Sequence, residues 1–310
     1  MANITTTTAA NAIPKAWANK GLGKLAGNLV LASVVNKDWG NEMGSVGDTV
    51  HIHKRGAVTV AAKAAGTPIT PQSPADADLT VVLSKHYAGA FLLEDDAASE
   101  VGYDIGEGYV EDAAVAIAEQ IEIDGLTTAY TGFTTNTALG VAGVDATENL
   151  MLSIRKALVD AKCAQATPKY CFWSTKDVKA LLQIARFTEA QILGDSNVTP
   201  TMRSAVLGRL HGMDHVESQY VVTTGSAPTD THCIALAPDA LTLAMRPLKK
   251  SKSPGVLMYV ASGVQGTAMY GIGIRVAISY EGKDMGDLLT VDALWGWGTV
   301  RNEFGVHVHT

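Results

Sequence analysis

Two pairs of histidines stand two residues apart, His51 with His53 and His307 with His309. On a strand that spacing puts both imidazoles on one face, where they share a metal if a third ligand joins them. Neither pair has a cysteine or carboxylate pattern at ligand spacing nearby, so these four are expected as polar residues on solvent faces. His211 and His215 have the i, i+4 spacing of a zinc helix, but the intervening Gly212-Met213-Asp214 offers no glutamate base and suits a turn. Glu94-Asp95-Asp96 carries charge enough for Mg²⁺ or Ca²⁺, although three adjacent acids at a strand end are ordinarily just solvated. Gly21-Leu22-Gly23-Lys24-Leu25-Ala26-Gly27 has the glycines of a dinucleotide turn without the preceding strand or the later acid. Gly271-Ile272-Gly273 lacks a following helix, and neither a Walker A sequence nor G-x-S-x-G occurs. The expectation is therefore no catalytic residues, no cofactor site and no metal site.

The bulk composition points the same way. The chain has 310 residues, 47% hydrophobic and 18% charged, enough to bury a large core. Twenty-four basic residues face 31 acidic ones, and a net charge of −7 argues against a dedicated nucleic-acid reader. No uninterrupted apolar window is long enough for a membrane span, and the N-terminus lacks the charged and apolar regions of a signal peptide. Cys163, Cys171 and Cys233 stand far apart and fit reduced, packed thiols in an intracellular protein.

The elements that would position any site fall in a definite order. Residues 1 to about 45 read as a weakly basic arm, with Trp17, Leu22, Leu25, Leu29 and Val30 at helical spacing, that gains order by lying on something else. From Gly47-Asp48-Thr49-Val50-His51-Ile52-His53 the period changes to two. After Val58-Thr59-Val60 comes Gly66-Thr67-Pro68-Ile69-Thr70-Pro71-Gln72-Ser73-Pro74, and strand character returns at Leu79–Leu83 and Phe91-Leu92-Leu93. Two strand runs about a long proline-rich excursion make a ribbon with too little apolar surface to stand alone.

The strongest helix follows, from about Ser99 to Tyr130, with Val101, Ile105, Tyr109, Ala113, Ala116, Ile117, Ile121 and Leu126 as its apolar stripe. Between Lys85 and Arg155 there is no lysine or arginine and there are thirteen acids, eleven of them from Glu94 to Asp124. Such a run is either a solvated helix face or a surface that meets basic segments of another copy. Candidates for those segments are the N-terminal arm and Arg246-Pro247-Leu248-Lys249-Lys250-Ser251-Lys252. Beyond residue 144 the texture is compact α/β. A helix capped at Asp145 or Thr147 runs to about Lys162, and Ser174-Thr175-Lys176-Asp177 has the form of a capping box. Strands are expected at 170–173, 216–222, 233–237, 241–245, 256–260, 273–280, near 291–298 and at 305–309.

This order of parts resembles the major capsid proteins of tailed double-stranded DNA bacteriophages, with the HK97-like fold. The residues that carry the likeness are Val35-Asn36-Lys37-Asp38-Trp39 leading to Gly47-Asp48-Thr49-Val50, then Thr70-Pro71-Gln72 and Phe91-Leu92-Leu93-Glu94-Asp95. Gly208-Arg209-Leu210-His211-Gly212-Met213-Asp214-His215-Val216-Glu217-Ser218 is similar to a turn and strand of the family. Gly271-Ile272-Gly273-Ile274-Arg275-Val276 and Asp292-Ala293-Leu294-Trp295-Gly296 are similar to its closing strands. The resemblance implies an α+β fold with an N-terminal arm at 1–46 and an extended E-loop at 47–94. It places a P domain with a long spine helix at 95–133 and 281–310, and a compact α/β A domain at 134–280.

It further implies hexamers and pentamers of the chain itself, closing into an icosahedral shell around double-stranded DNA that is contacted non-specifically. The expected partners are a scaffolding protein, a portal and a decoration protein, with no membrane, and the expected location is the virion, after assembly in the host cytoplasm. An encapsulin-like compartment is the alternative within the fold; a soluble α/β enzyme is the alternative outside it. Some members cross-link their shells through a lysine, an asparagine and a glutamate. No pattern selects Lys54, Lys63 or Asn302 for that role, and cross-linking is not expected here.

Overall fold

The computed structural model describes residues 13–38, 49–56, 58–66, 68, 71–96, 105–136, 139–184, 208–226, 228–249, 256–262 and 271–310. Trp39, Gly47-Asp48, Thr70, the expected helix start near Ser99 and residues 250–252 lie outside that set.

Helix α1 (Ile13–Asn28) and the single turn α2 (Leu31–Val34) are followed by β1 (Thr49–Lys54), β2 (Ala77–Val82) and β3 (Lys85–Glu94). The long helix α3 then spans Ile105–Gly132. Its buried positions are Val110, Ala114, Ile117, Ala118, Ile121, Leu126 and Ala129. The stripe therefore runs one residue away from the expected one at its start: Tyr109 is 51% exposed and Ala116 is exposed, whereas Val110 and Ala114 are buried. Gly125 sits mid-helix, where glycine costs about 1 kcal/mol of helix propensity. A Cβ there would lie 2.7 Å from both Leu31 and Trp297, so the close approach of α2 and the sheet requires glycine.

Helix α1 lies along α3 in the same chain. Ala18, Leu22 and Leu25 are buried between them at helical spacing, and Leu29, Leu31 and Ala32 continue the contact. The described part of the arm, residues 13–38, thus finds its support in its own subunit.

Behind α3 stands a five-stranded sheet built on β13 (Gly286–Thr299). One edge of β13 pairs first with β12 (Gly273–Glu281) and then with β10 (Leu241–Arg246); the other edge pairs with β3. β11 (Val256–Ser262) completes the sheet beside β12. Alternation explains Trp295-Gly296-Trp297-Gly298 within β13. Both indoles face α3, Trp295 Nε1 donating to Asp124 Oδ2 at 3.1 Å and Trp297 Nε1 to the Ile121 carbonyl at 3.1 Å. On the opposite face, a Cβ at Gly296 would collide with the Val82 carbonyl, and one at Gly298 with the Val81 side chain. The glycines therefore let the end of β2 lie directly on β13.

The second large sheet has the order β4 (Leu139–Gly140), β14 (Gly305–His309), β9 (Asp230–Leu236), β5 (Tyr170–Trp173), β7 (Met213–Glu217), β6 (Gly208–Leu210), with β8 (Thr223–Thr224) paired to β9. Helices α4 (Glu148–Asp160) and α5 (Thr175–Leu182) pack on it through Met151, Ile154, Leu158 and Leu181. Both carry the expected caps: Thr147 Oγ1 accepts from the Leu150 amide at 3.3 Å and Ser174 Oγ from the Asp177 amide at 3.2 Å.

These two sheets cross the domain boundaries expected from sequence. β10, β11 and β12 lie with β13 and the long helix, and β14 lies in the other sheet between β4 and β9. Val306 and Val308 fill the core under α4 and α5, which holds the last strand there. Of the expected strand at 216–222 only Val216 and Glu217 are strand, the end of β7, and β8 begins beyond it at Thr223.

Candidate assembly interface

The ribbon expected as an E-loop, and so labelled below, is built from its root outward. β1 and β2 pair antiparallel from Thr49 with Val82 to Lys54 with Ala77. Val50, Ile52, Val81 and Leu83 bury their side chains against Ala244, giving the root a small core of its own. Beyond Lys54 no strand pairing continues among the described residues, and polar clamps take over. The Gly56 amide donates to Asp76 Oδ1 at 2.9 Å. Gln72 holds Thr59 three times, its Oε1 accepting from the Thr59 amide at 3.0 Å and hydroxyl at 3.1 Å, its Nε2 donating to the Thr59 carbonyl at 2.6 Å. With both limbs fixed, the loop presents bare apolar side chains: Val58 is 71% exposed and Val60 is fully exposed.

His51 and His53 serve this ribbon as cross-strand partners rather than as a pair. His51 Nδ1 lies 2.7 Å from Asp78 Oδ2, and His53 Nε2 lies 3.1 Å from Asp76 Oδ2. The Gly56 amide, ahead of burial and His53, sets the balance at Asp76, whose carboxyl is held below its ordinary value.

The acidic run is largely used within the subunit. Lys20 pairs with Glu107, and Lys24 with Glu111 at 3.4 Å, one helical turn further on. The expectation that the N-terminal arm's lysines reach another copy's acids is thus corrected for these two: parallel packing of α1 and α3 at matching four-residue steps satisfies them in cis. Asp124 takes the Trp295 indole, and Asp95 Oδ2 accepts from the Tyr280 hydroxyl at 3.0 Å. Glu122 is buried and accepts from the amides of Leu31 at 2.9 Å and Ala32 at 3.3 Å. Burial pushes its carboxyl up to about 7 against the opposing pull of those amides.

The motif residues of the closing strands also meet. Arg275 on β12 stands opposite Asp292 on β13, with Nε donating to Oδ1 at 2.9 Å and Nη2 paired to Oδ2. His86 from β3 adds a third strand at 3.1 Å from Asp292 Oδ2. A bidentate pair on a buried carboxylate fixes the register of three strands at once.

The remaining candidates separate. His211 and Gly212 both have positive φ, 50° and 77°, between paired Leu210 and Met213, the geometry of a two-residue hairpin turn. His215 is buried, accepts the Trp173 indole on Nδ1 at 2.8 Å, and is lowered to about 4 by burial. Lys54 Nζ pairs with Glu303 at 3.4 Å, while Asn302 bonds Thr134 and the Thr135 amide. The three cysteines are free and buried.

His307 departs from the solvent-face expectation: it is buried, as is His232 across from His309 on β9. His232 had no local signal, because its partners lie 75 and 77 residues away. One nitrogen from each of the three rings lies within 4.8 Å of the other two. Burial lowers both His232 and His307, the latter to about 4.

No protein-family model matches the sequence, and no curated protein matches it significantly. Solved structures do match. Mycobacterium phage Che8 gives a TM-score of 0.65 at 20% identity, covering 90% of each chain. The capsid of cyanophage P-SCSP1u gives 0.61 at 12% identity, over 86% of this chain and 84% of that one. A virus-like particle from Pyrococcus furiosus gives 0.55 at 11% identity, over 96% of this chain and 99% of that one. What is shared at these identities is the architecture, and this chain has the HK97-like fold of phage capsids.

Proposed function

We propose that this chain is a major capsid protein that self-assembles into the icosahedral head shell enclosing phage double-stranded DNA. The observation that carries the proposal is the E-loop: a ribbon anchored firmly at its root, stiffened by the Thr59–Gln72 clamp, and carrying the exposed Val58 and the fully exposed Val60. Burying one such side chain against a neighbour contributes about 1.5–3 kcal/mol, repeated at every subunit of a shell. The platform it springs from has the fold of capsid subunits. The working division follows the sheets: a P region of α1, α3, β3 and β10–β13, and an A region of β4–β9, β14, α4 and α5. Location in the virion after assembly in a host cytoplasm, and partnership with scaffolding, portal and decoration proteins, belong to this reading. Contact with packaged DNA is non-specific, as the net charge of −7 favours; a strongly basic inner wall in an assembled shell would count against it.

The test is electron microscopy with light scattering on the purified protein, alone and co-expressed with the scaffolding protein of its own genome. Closed shells or polyheads tens of nanometres across are expected of the native chain. Val58→Asp combined with Val60→Asp leaves subunits that melt as the native chain does and do not close. Shells formed equally well by that variant would remove the E-loop from the mechanism. The virus-like particle from Pyrococcus furiosus supports a second reading, a protein-filled compartment. Particles isolated with protein cargo and without DNA or a portal vertex would favour it.

A further inference from the structure

The face of the seven-stranded sheet that looks toward the long helix gathers three imidazoles. On β14, His307 and His309 share that face because they are two apart, while Val306 and Val308 point into the opposite core. On β9, His232 stands directly opposite His309 in the antiparallel register, and His307 opposite Ile234. The ring centroids are 4.3 to 5.4 Å apart. From α3, Tyr130 stacks on His232 at 4.0 Å and meets His307 edge-on at 5.0 Å, closing the site from above.

The outward nitrogens are already held. His232 Nε2 lies 2.7 Å from Thr224 Oγ1, and His309 Nδ1 lies 2.7 Å from Asp230 Oδ2. Metal-binding histidines ordinarily have such an outer partner, which fixes the ring and its tautomer. The inward nitrogens then include His232 Nδ1 and His307 Nε2, 2.9 Å apart. Ligand nitrogens at about 2.0–2.1 Å from a tetrahedral zinc are about 3.3 Å from one another. The 2.9 Å pair has to open by a few tenths of an ångström, and the set of three, which lies within 4.8 Å, has to draw in around the ion by ring rotation. The buried Asp230 Oδ1 has no hydrogen-bond partner, while Oδ2, bonded to His309, also lies 3.6 Å from His232 Nδ1, so the carboxylate borders the cluster directly.

We infer that His232, His307 and His309 form a site for a divalent transition metal, zinc foremost, with Asp230 and Thr224 as the groups that orient two of the ligands. Three imidazoles suit zinc, cobalt, nickel and copper and do not suit magnesium or calcium. The fourth position is open on the side of His309, which is 29% exposed at its side chain. An ion here pins the last strand to β9 within the seven-stranded sheet, beneath the long helix. The inference stands apart from the assembly reading and is tested on the unassembled chain.

The experiment uses tag-free protein treated with a chelator and dialysed, then titrated with Zn²⁺ by calorimetry and with Co²⁺ by visible absorption. One equivalent per chain, intense cobalt bands of a four-coordinate site and a zinc-dependent rise in the unfolding midpoint are expected. His309→Gln, a partly exposed position, lowers affinity at least tenfold, and Asp230→Asn lowers it 10- to 100-fold. His51→Ala leaves binding unchanged. Absence of stoichiometric binding to the native chain, or binding unaltered by His309→Gln, overturns the inference, and the native titrations decide the matter even if a variant fails to fold.

Discussion

The sheet around β13 and the E-loop that leaves it are held together by different physics. Around β13 the polar groups are answered inside the subunit: Asp292 by Arg275 and His86, Trp295 by Asp124, Trp297 by the Ile121 carbonyl. Leu289, Val291, Ala293 and Trp295 are buried beneath the long helix. Beyond Lys54 the E-loop has no such core. Its shape rests on the Asp76 and Gln72 clamps, and its valines stand exposed, Val60 fully. One region is complete as a monomer; the other has a defined shape and an unmet apolar demand.

The largest effect separating the two is expected from Asp292→Ala. It leaves the Arg275 guanidinium half-buried without its carboxylate, a change that costs about 3–5 kcal/mol. Denaturant unfolding measures it, and a loss below about 1 kcal/mol would mean the pair is not what fixes the three strands. The geometry of the E-loop clamps should be untouched.

Next in size is a pH effect at Glu122. Its folded carboxyl titrates near 7, above the ordinary 4.5, chiefly through burial. Between those values the folded chain keeps a proton that the unfolded chain has released, so stability falls as pH rises from 4.5 to 7. The full difference is about 3 kcal/mol. Glu122→Gln removes this dependence. Unfolding curves at pH 5 and pH 8 should therefore converge for the variant relative to the native chain; parallel behaviour of the two would show that the α2 amides hold a carboxylate already ionised at pH 5.

The smallest effect on the subunit is expected from Gln72→Ala. Global stability should change by no more than about 0.5 kcal/mol, as for an exposed residue. Amide exchange at Thr59 should accelerate sharply and shell closure should slow. Unchanged exchange at Thr59 would show that the loop is stiffened by something other than this side chain.

What the sequence made legible was local. The long helix, both helix caps, the turn at His211-Gly212 and the ribbon about the proline-rich excursion all follow from neighbours within a few residues. The one-residue shift of the α3 stripe was hidden because that helix is apolar on most of its surface, so periodicity alone does not choose a face. Charge complementarity correctly matched lysines of the arm with acids of the helix, but it carries no information on whether partners share a chain. The alternation of residues 305–309 fits either sheet, and only the antiparallel register with β9 brings His307 and His309 to His232.

The glycines at 296 and 298 have a mechanical consequence. Where side chains separate two layers, rotamer changes act as a cushion, and one layer tilts without disturbing the other. Here the ribbon's backbone rests on bare strand, and that same strand bears through two indoles on the long helix. The root of the ribbon is therefore a stiff coupling, with no compliance of its own. In the shell proposed above, fitting both five-fold and six-fold surroundings falls to the ribbon further out, past Lys54, while any torque at the base passes straight into the helix.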